Sequence, residues 1–565
     1  MMQAKLATII GVLLLGASCT SLPSEAGDPR TPKAVGAVDP ERLSSITRML
    51  ASDAFEGRSP GSAGETRTVD YLVEQFKGLG LEPGGDKGGW TQIVPLLRTQ
   101  LDQSRPVTMT IKGADQALAQ GRDIYISTLR DADHVQLSAA PMVFVGYGVT
   151  APERDWDDFK GIDLKGKVAV FLVNDPDFDA QAGEPVAGAF GGRAMTYYGR
   201  WTYKYEEAAR RGALAALIVH DTPGAGYGWN TVIAPGGENF GLVRDAGAPE
   251  ALALQGWLSG DAATRLFAVS GLDLAALRIA ARGRDFKPVA LSSTLSADIG
   301  VTRERIESRN VIARLPGRTR PDETISFAAH WDAYGIDPKP GPKKGTIRRG
   351  AVDDAIGVAG VLELARLFAA GPRPDRTLIF AAWTAEERGL LGSEWFARSN
   401  LYPADRMVAN MTLDVLQTAG AARDVVLIGA GQNQLERYLA DAAKTQGRTV
   451  TPDARPERGL FYRADHFSLA RRGVPTLLLM AIGGGADLVS GGRAAGDKWV
   501  SDYTANCYHQ DCDRWSPDWD LTGATQDVTL FHMIGGQLAN SDRWPEWNSG
   551  SEFAKLRQKG AAAGD

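Results

Sequence analysis

Histidine and carboxylate side chains stand directly after several apolar segments of this chain. One apolar segment ends at His330. A second runs into Glu386 and Glu387, and a third is followed by Asp414. Imidazole nitrogens and carboxylate oxygens are zinc ligands, and a carboxylate beside a bound water can act as a general base. The pattern predicts a metal-dependent hydrolytic site, in which a nearby carboxylate such as Asp332 can hold a ligating imidazole in one tautomer. Taken alone, a histidine after a strand or a pair of glutamates is more often structural.

Two further short segments supply residues of the same types. A Gly-Ala-Val-Asp-Asp sequence contains Asp353, which could bridge two metals, and Asp354, which could cap the following helix. His509 lies between Cys507 and Cys512, and such a close pair predicts a local disulfide in an oxidising compartment. The chain has six histidines, so a histidine in that loop is informative.

Strands alternate with helices after residue 293, and this alternation predicts an α/β domain. The predicted strands are 308–315, 324–329, 377–383, 407–413, 424–428 and 475–480. The predicted helices are 354–370, 392–399, 432–446, 464–472 and 521–539. Such alternation gives a mainly parallel mixed sheet between two layers of helices, with ligand sites beyond the carboxyl ends of the strands. His330, Glu387 and Asp414 follow three of these strands. A glycine-rich stretch at 483–496 predicts a surface loop.

The first half of the chain has a different pattern. Helices are predicted at 42–50 and 65–79, and a strand at 91–97. From about residue 126, short apolar runs between Gly, Pro and Asp predict a β-rich module with one helix at 203–211. Asp175, Asp177 and Asp179 begin like a calcium loop, but Ala180 and Val186 replace the required Gly and Glu. We therefore expect a solvated acidic loop there.

The N-terminus is typical of an export signal. Lys5 precedes an apolar run over residues 6–15, which is shorter than the roughly 20 residues that span a bilayer. Residues 1–19 are therefore predicted to be a signal peptide, and Cys19 after small residues resembles a lipobox cysteine. Ordinary signal cleavage is the alternative. The protein is expected in the bacterial periplasm, on the outer membrane as a lipoprotein, or secreted, with residues 20–38 as a tether.

Composition excludes some classes of function. A chain of 565 residues is too long for a single hydrophobic core, because such cores stop growing at roughly 250 to 300 residues. The length therefore predicts two or more domains. The net charge of −6 provides no basic field for nucleic acid. A Gly-x-Ser-x-Gly match around Ser59 fails as a serine hydrolase elbow, because that elbow needs a backbone N–H after the nucleophile and Pro60 has none.

These residues, in this order, resemble the co-catalytic zinc aminopeptidases that share a fold with glutamate carboxypeptidase and the transferrin receptor. The matching residues and segments are His330 with Asp332, Asp353 with Asp354, Glu386 with Glu387, Asp414, Tyr508 with His509, 55–61 and 465–467. The resemblance implies the zinc exopeptidase fold and two zinc ions per chain. It implies these metal ligands: His330 and Asp414 for one zinc, Glu387 and His509 for the other, and a bridging Asp353. It implies these catalytic roles: general base for Glu386, oxyanion donor for Tyr508, and orientation of His330 for Asp332.

The resemblance also implies a division into domains. The β-rich module at 126–295 resembles a protease-associated domain inserted into a peptidase domain. The implied peptidase domain has an N-terminal part at 39–125 and a catalytic part at 296–545. Residues 546–565 are expected to form a tail.

The expected function is removal of N-terminal residues from peptides by a two-zinc exopeptidase. Three alternatives remain: a glutamate carboxypeptidase-like enzyme, a glutaminyl cyclase-like acyltransferase with one zinc, and a receptor-like relative without metal. A basic stretch could bind a C-terminal carboxylate in the first alternative: Lys339, Lys343, Lys344, Arg348 and Arg349. Peptides are the expected partners, and a membrane is expected only through an N-terminal lipid anchor.

Overall fold

The computed structural model describes residues 36–245, 247–337 and 345–561, and the side chains only up to residue 557. The predicted signal peptide, Cys19, and the three lysines of the basic stretch lie outside these residues. In the described residues no helix is long and apolar enough to cross a membrane.

The helices and strands are numbered in chain order. The helices are α1 Pro40–Leu50, α2 Ala63–Gly78, α3 Trp201–Arg210, α4 Thr222–Ala225, α5 Trp229–Ile233, α6 Gly260–Val269, α7 Leu274–Ala280, α8 Ile356–Ala370, α9 Leu391–Ser399, α10 Leu435–Thr445, α11 His466–Ala470, α12 Gly492–Asn506, α13 Thr522–Ala539 and α14 Ala554–Ala561. The strands are β1 Glu82–Pro83, β2 Thr91–Leu101, β3 Val107–Ile111, β4 Ala114–Leu118, β5 Ile124–Ser127, β6 His134–Phe144, β7 Thr150–Ala151, β8 Trp156–Asp157, β9 Val168–Leu172, β10 Ala215–Val219, β11 Glu238–Leu242, β12 Leu254–Leu258, β13 Val289–Leu315, β14 Arg320–His330, β15 Gly335–Ile336, β16 Ile347–Arg348, β17 Arg376–Trp383, β18 Met407–Leu413, β19 Asp424–Leu427, β20 Thr449–Pro452 and β21 Thr476–Leu479.

The central sheet is mixed, and its middle is parallel. Its order is β11–β2–β13–β17–β14–β18–β21–β19–β20. Strands β17, β14, β18 and β21 run parallel, whereas β13 and β2 are antiparallel to their neighbours. The predicted fold class, a mainly parallel mixed sheet between helices, is confirmed.

Helices cover both faces of this sheet because its strands are apolar on both sides. On one face, Phe327 and Phe380 pack with residues of α8 and α13. On the other face, Ala328 and Ile379 pack with Phe396 of α9. Successive strand residues point to opposite faces, so one apolar strand supplies both cores.

A second sheet forms the β-rich module. Its order is β4–β3–β13–β6–β9–β10–β12–β5. Strand β13 belongs to both sheets: residues 289–300 pair with β3 and β6, and residues from Val301 onward pair with β2 and β17. This sheet begins with β3, upstream of residue 126. That the module is a protease-associated domain stays a prediction.

Two predicted irregular segments are more ordered than expected. The loop predicted over 483–496 ends early, because α12 begins at Gly492. A Cβ at Gly496 would come within 2.0 Å of the Ala486 carbonyl oxygen, so this glycine permits a close contact inside the helix. The segment predicted as a tail packs against the sheet domain, where Trp547 and Phe553 are buried and Trp547 Nε1 donates to the Gly473 carbonyl at 2.9 Å.

Candidate metal centre

Three strand ends bring three of the predicted ligands together. His330 is the last residue of β14, which pairs with β17 on one side and β18 on the other. Glu387 follows β17 and Asp414 directly follows β18. Because these strands are parallel, their carboxyl ends meet at one edge of the sheet.

The other two predicted ligands arrive on loops. Asp353 lies in the turn Ala351–Ala355, directly before α8. Asp354 caps α8 as expected: its Oδ1 accepts from the backbone N–H of Gly357 at 3.1 Å. His509 lies in the loop after α12, and the predicted disulfide joins Cys507 and Cys512 across that loop.

The five predicted ligands form two groups that share Asp353. His330, Asp353 and Asp414 form one group, and Asp353, Glu387 and His509 form the other, each with ligand atoms within 4.8 Å of one another. His330 Nε2 lies 3.1 Å from Asp353 Oδ1, and His509 Nε2 lies 3.2 Å from Asp353 Oδ2. His509 Nε2 also lies 3.1 Å from Glu387 Oε2.

The buried carboxylates of this centre form a site whose negative charge a bound cation would neutralise. Burial raises the pKa of Asp414 to about 8 and the pKa values of Glu386 and Glu387 well above their ordinary value. Burial also acts on Asp353, but its interactions with His330 and His509 outweigh it and lower its pKa. Asp353 Oδ2 is buried and accepts no hydrogen bond. Two imidazoles with buried carboxylates suit zinc, so the chemistry of these residues fits that ion.

Glu386 stands beside this centre without belonging to either ligand group. Its Oε2 lies 3.9 Å from His330 Nε2, and its backbone N–H donates to Asp332 Oδ1 at 3.0 Å. Asp332 contacts His330 mainly through its backbone, because its carbonyl oxygen lies 3.1 Å from Nδ1 and its Oδ1 lies 3.7 Å away. Asp332 therefore holds both His330 and the backbone of Glu386.

Tyr508 packs on the second histidine. The rings of Tyr508 and His509 lie 3.7 Å apart with 29° between their planes. Burial, together with Asp353 and Glu387, raises the pKa of Tyr508 well above its ordinary value, against the opposing charge of Arg463. Its hydroxyl is therefore protonated at neutral pH and can donate a hydrogen bond.

Several residues that support the centre were not recognised from the sequence. The Tyr334 hydroxyl lies 3.3 Å from His509 Nδ1. Asp513 accepts the backbone N–H of Val352 at 2.8 Å and of Asp353 at 3.1 Å. Arg58 is fully buried and donates to the Trp331, Arg349 and Gly350 carbonyls. Arg58 had a signal, because it lies in the 55–61 segment that carries the family resemblance.

The remaining histidines and the acidic loop lie outside the centre. His466 is fully buried without a hydrogen bond, and burial lowers its pKa to about 3, so it stays neutral.

The prediction of a solvated acidic loop is wrong for Asp175 and Asp177, which are buried. Asp177 accepts from two backbone N–H groups, those of Phe190 and Gly192, at 2.9 Å.

The described arginines of the basic stretch are already paired. Arg348 donates to Asp337 at 2.7 Å, and Arg349 donates to Asp53 at 2.7 Å. Their charges are compensated within the protein. They therefore offer little support for the predicted role of this stretch in binding a C-terminal carboxylate.

Residues 310–533 match the family model described as Peptidase family M28. All five candidate ligands, Glu386 and Tyr508 lie in this range. A "Probable zinc metalloprotease" of Pyrenophora teres f. teres is 37% identical over 111 residues, which are 20% of this chain and 23% of that protein. A protein of the same description from Pyricularia oryzae is 32% identical over 118 residues, 21% of this chain and 23% of that protein. The chain thus spans about a quarter of the length of these curated relatives.

Two solved structures of similar fold cover most of the chain. An aminopeptidase from Aneurinibacillus sp. strain AM-1 has 20% identity and a TM-score of 0.49, over 90% of this chain and 96% of that one. A zinc aminopeptidase from Bacillus subtilis has 16% identity and a TM-score of 0.45, over 90% of this chain and 97% of that one. The predicted resemblance to zinc metallopeptidases is confirmed by the family match over residues 310–533.

Proposed function

We propose that this chain is a two-zinc aminopeptidase, which removes residues from the N-terminus of peptides. The observation that carries the proposal is the position of Asp353 between two histidines. One of its carboxylate oxygens lies 3.1 Å from His330 Nε2 and the other 3.2 Å from His509 Nε2. A carboxylate that faces a separate histidine with each oxygen could serve both metal ions of a two-metal site.

Zinc in this centre would supply a Lewis acid for the scissile carbonyl and lower the pKa of a water towards about 7. The protein residues then move the protons. Glu386, whose pKa is raised by burial, accepts a proton from the attacking water and delivers it to the leaving amine. The protonated hydroxyl of Tyr508 donates to the oxygen on which negative charge develops.

The described arginines of the basic stretch support an aminopeptidase over a carboxypeptidase. Arg348 and Arg349 are paired with Asp337 and Asp53, so their charges offer little to a C-terminal carboxylate.

The proposal is tested on the full-length protein by metal analysis and a substrate panel. We expect two zinc ions per chain, cleavage of aminoacyl substrates, loss of activity with a chelator, and recovery on zinc addition. The panel also contains dipeptidyl and C-terminal glutamyl peptides, and a peptide with N-terminal glutamine.

Each alternative gives a different result in this experiment. One zinc with cyclisation of N-terminal glutamine indicates a glutaminyl cyclase-like acyltransferase. Release of C-terminal glutamate indicates a carboxypeptidase, and a protein without zinc indicates the receptor-like alternative. Two bound zinc ions without cleavage of any peptide would contradict the peptidase proposal.

A further inference from the structure

Two buried charged side chains, Arg58 and Asp513, hold the backbone of the segment that carries Asp353. We call these two residues the backbone clamp. Arg58 comes from the N-terminal part of the chain, and Asp513 directly follows Cys512, at the end of the loop that carries His509. Arg58 is fully buried and Asp513 is 3% exposed. Neither residue belongs to the two groups of candidate metal ligands.

Arg58 donates to backbone carbonyl oxygens of two segments of the centre. Its Nε donates to the carbonyl of Trp331, the residue after His330, at 2.6 Å. Its Nη1 donates to the Arg349 carbonyl at 2.6 Å, and its Nη2 donates to the Gly350 carbonyl at 2.8 Å, shortly before the proposed bridging aspartate. A guanidinium is planar and donates in fixed directions. This side chain therefore fixes the two backbone segments relative to each other.

Asp513 accepts N–H groups of the segment that carries the bridging aspartate. Its Oδ1 accepts from the backbone N–H of Val352 at 2.8 Å, and its Oδ2 accepts from that of Asp353 at 3.1 Å. The Tyr503 hydroxyl donates to Asp513 Oδ2 at 3.0 Å and holds the carboxylate in place. The segment is therefore bonded to the clamp through both its carbonyl groups and its N–H groups.

The bridging aspartate depends on side chains for its backbone position. Asp353 departs from helical geometry, with φ −122° and ψ 90°, so the backbone needs hydrogen-bond partners from elsewhere. Hydrogen bonds to a charged side chain are stronger than those between neutral groups, and burial strengthens them. Because the two carboxylate oxygens of Asp353 face different histidines, His330 and His509, a shift of this backbone would separate ligand atoms in both groups.

The clamp extends the metal centre beyond the part of the chain that matches the family model. Residues 310–533 contain all five candidate ligands and Asp513, but not Arg58. The segment before Arg58 packs closely on the sheet domain, since a Cβ at Gly57 would lie 2.4 Å from the Arg348 carbonyl oxygen. The N-terminal part of the chain thus reaches the backbone on which the candidate centre is built.

We propose that Arg58 and Asp513 are positioning residues of the metal centre, which fix the backbone of Asp353 so that its two carboxylate oxygens are preorganised for two zinc ions. This inference rests on the proposed two-zinc function. The clamp acts through Asp353 and contacts none of the candidate ligand side chains through its own charged groups. Groups that orient metal ligands in this way typically contribute roughly 10- to 100-fold to metal affinity.

Zinc titration in competition with a chelator, on the full-length protein, tests Asp513. Asp513→Asn keeps the shape of the side chain, but its amide has one oxygen for the three donors that the carboxylate accepts. We expect the affinity for both zinc ions to fall roughly 10- to 100-fold, because Asp353 belongs to both ligand groups. Asp518→Asn is the matched control, since it removes an equal charge from an exposed position five residues further on, and it should leave zinc affinity unchanged.

Denaturant unfolding of the metal-free proteins separates positioning from a purely structural role. A purely structural role would lower the free energy of unfolding of metal-free Asp513→Asn and leave the zinc affinity of the folded variant equal to that of the unmodified protein. That result would overturn the proposal. An equal loss of zinc affinity in Asp518→Asn would show an effect of net charge and would overturn it as well.

Arg58→Lys tests the other half of the clamp. Lysine keeps the charge, but its single nitrogen cannot replace a planar fork that donates to carbonyls of two segments. We expect weaker zinc binding and, with cobalt in place of zinc, a changed visible absorption spectrum, because the ligand geometry changes. Arg105→Lys, at an exposed position, should change neither. Circular dichroism checks the fold of Arg58→Lys, and if this variant fails to fold, Asp513→Asn decides alone.

Activity measurements on the same proteins separate this inference from the proposed function. If both clamp variants lose zinc affinity but the zinc-loaded unmodified protein cleaves no peptide, the peptidase proposal fails and the clamp stands. If the unmodified protein cleaves peptides and both variants bind zinc as tightly as it does, the clamp is overturned and the peptidase proposal stands.

Discussion

Glu386 and Glu387 are adjacent in the sequence but differ in their contacts. Glu387 Oε2 lies 3.1 Å from His509 Nε2, whereas Glu386 lies on the side of His330. We expect Glu386→Gln to keep the bound zinc and to lower kcat by roughly 10²- to 10⁴-fold, because the variant cannot accept a proton. Glu387→Gln should instead lose zinc. Metal analysis and kcat, measured on both variants, check this; a Glu386→Gln variant with nearly full activity would exclude Glu386 as the base.

Tyr334 orients a candidate metal ligand from outside the ligand groups. Its hydroxyl lies 3.3 Å from His509 Nδ1, the ring nitrogen opposite the one that faces Asp353 and Glu387. We expect Tyr334→Phe to weaken the affinity for one of the two zinc ions by roughly 10- to 100-fold, because the imidazole loses its orienting contact. Zinc titration in competition with a chelator measures this. Tyr402→Phe is the control, since it removes a hydroxyl that donates to the Gly84 carbonyl, and it should not change zinc affinity.

At the scale of residues, the sequence indicated groups that follow strands and missed groups that reach the centre from distant segments. His330 and Asp414 were recognisable because a polar residue after an apolar strand is a local signal. The contacts of Tyr334 and Asp513 depend on how two loops meet, and no local spacing records that.

At the scale of elements, the apolar strands of the sheet domain were predictable, whereas the long strand that belongs to both sheets was not. Strand β18 was predicted with its observed bounds, since every residue of it is buried and the charged neighbours Arg406 and Asp414 mark both ends. Strand β13 was predicted only over its last part, 308–315. Its residues Arg303, Glu304 and Arg305 are exposed where the strand passes from one sheet to the other, and they interrupt the apolar pattern.

The loop that holds His509 depends on its disulfide. Cys507 and Cys512 are five residues apart in sequence, and the ring they close contains the histidine. We expect the double variant Cys507→Ser/Cys512→Ser to lose about 2 kcal/mol of free energy of unfolding, because the unfolded loop gains conformational entropy. It should also bind zinc less tightly, since His509 is no longer confined.

Denaturant unfolding and zinc titration, with and without a reductant, measure both effects. The reductant should weaken zinc binding in the unmodified protein and leave the double variant unchanged. Equal zinc affinity in both proteins under oxidising conditions would show that the loop is held by its packing alone.

At the scale of the whole molecule, the two sheets are one structural unit around the candidate site. Strand β13 continues from one sheet into the other, so the module cannot turn independently about a flexible linker. Arg471 of the sheet domain pairs with Glu206 of the module at 3.1 Å. The module therefore has a fixed position relative to the sheet domain.

The C-terminal segment contacts the junction of the module and the sheet domain through a buried carboxyl group. The Tyr462 hydroxyl donates to Glu552 Oε1 at 2.6 Å, and Glu552 Oε2 is buried without a partner. Burial raises the pKa of Glu552 from 4.5 to about 7, and Asp175 of the module adds to this rise. The folded protein thus holds this proton more tightly than the unfolded chain does.

This proton gives a pH dependence of definite sign. As the pH rises from about 4.5 to about 7, the unfolded chain ionises at Glu552 while the folded protein stays protonated, so the free energy of unfolding falls. Glu552→Gln stays neutral and keeps an oxygen for Tyr462, so its stability relative to the unmodified protein should rise across this interval by up to about 3 kcal/mol. Denaturant unfolding of both proteins at several pH values measures the difference. Glu546→Gln, at an exposed position of the same segment, should show no such trend. A constant difference between Glu552→Gln and the unmodified protein would mean that this carboxyl group is hydrated at the junction.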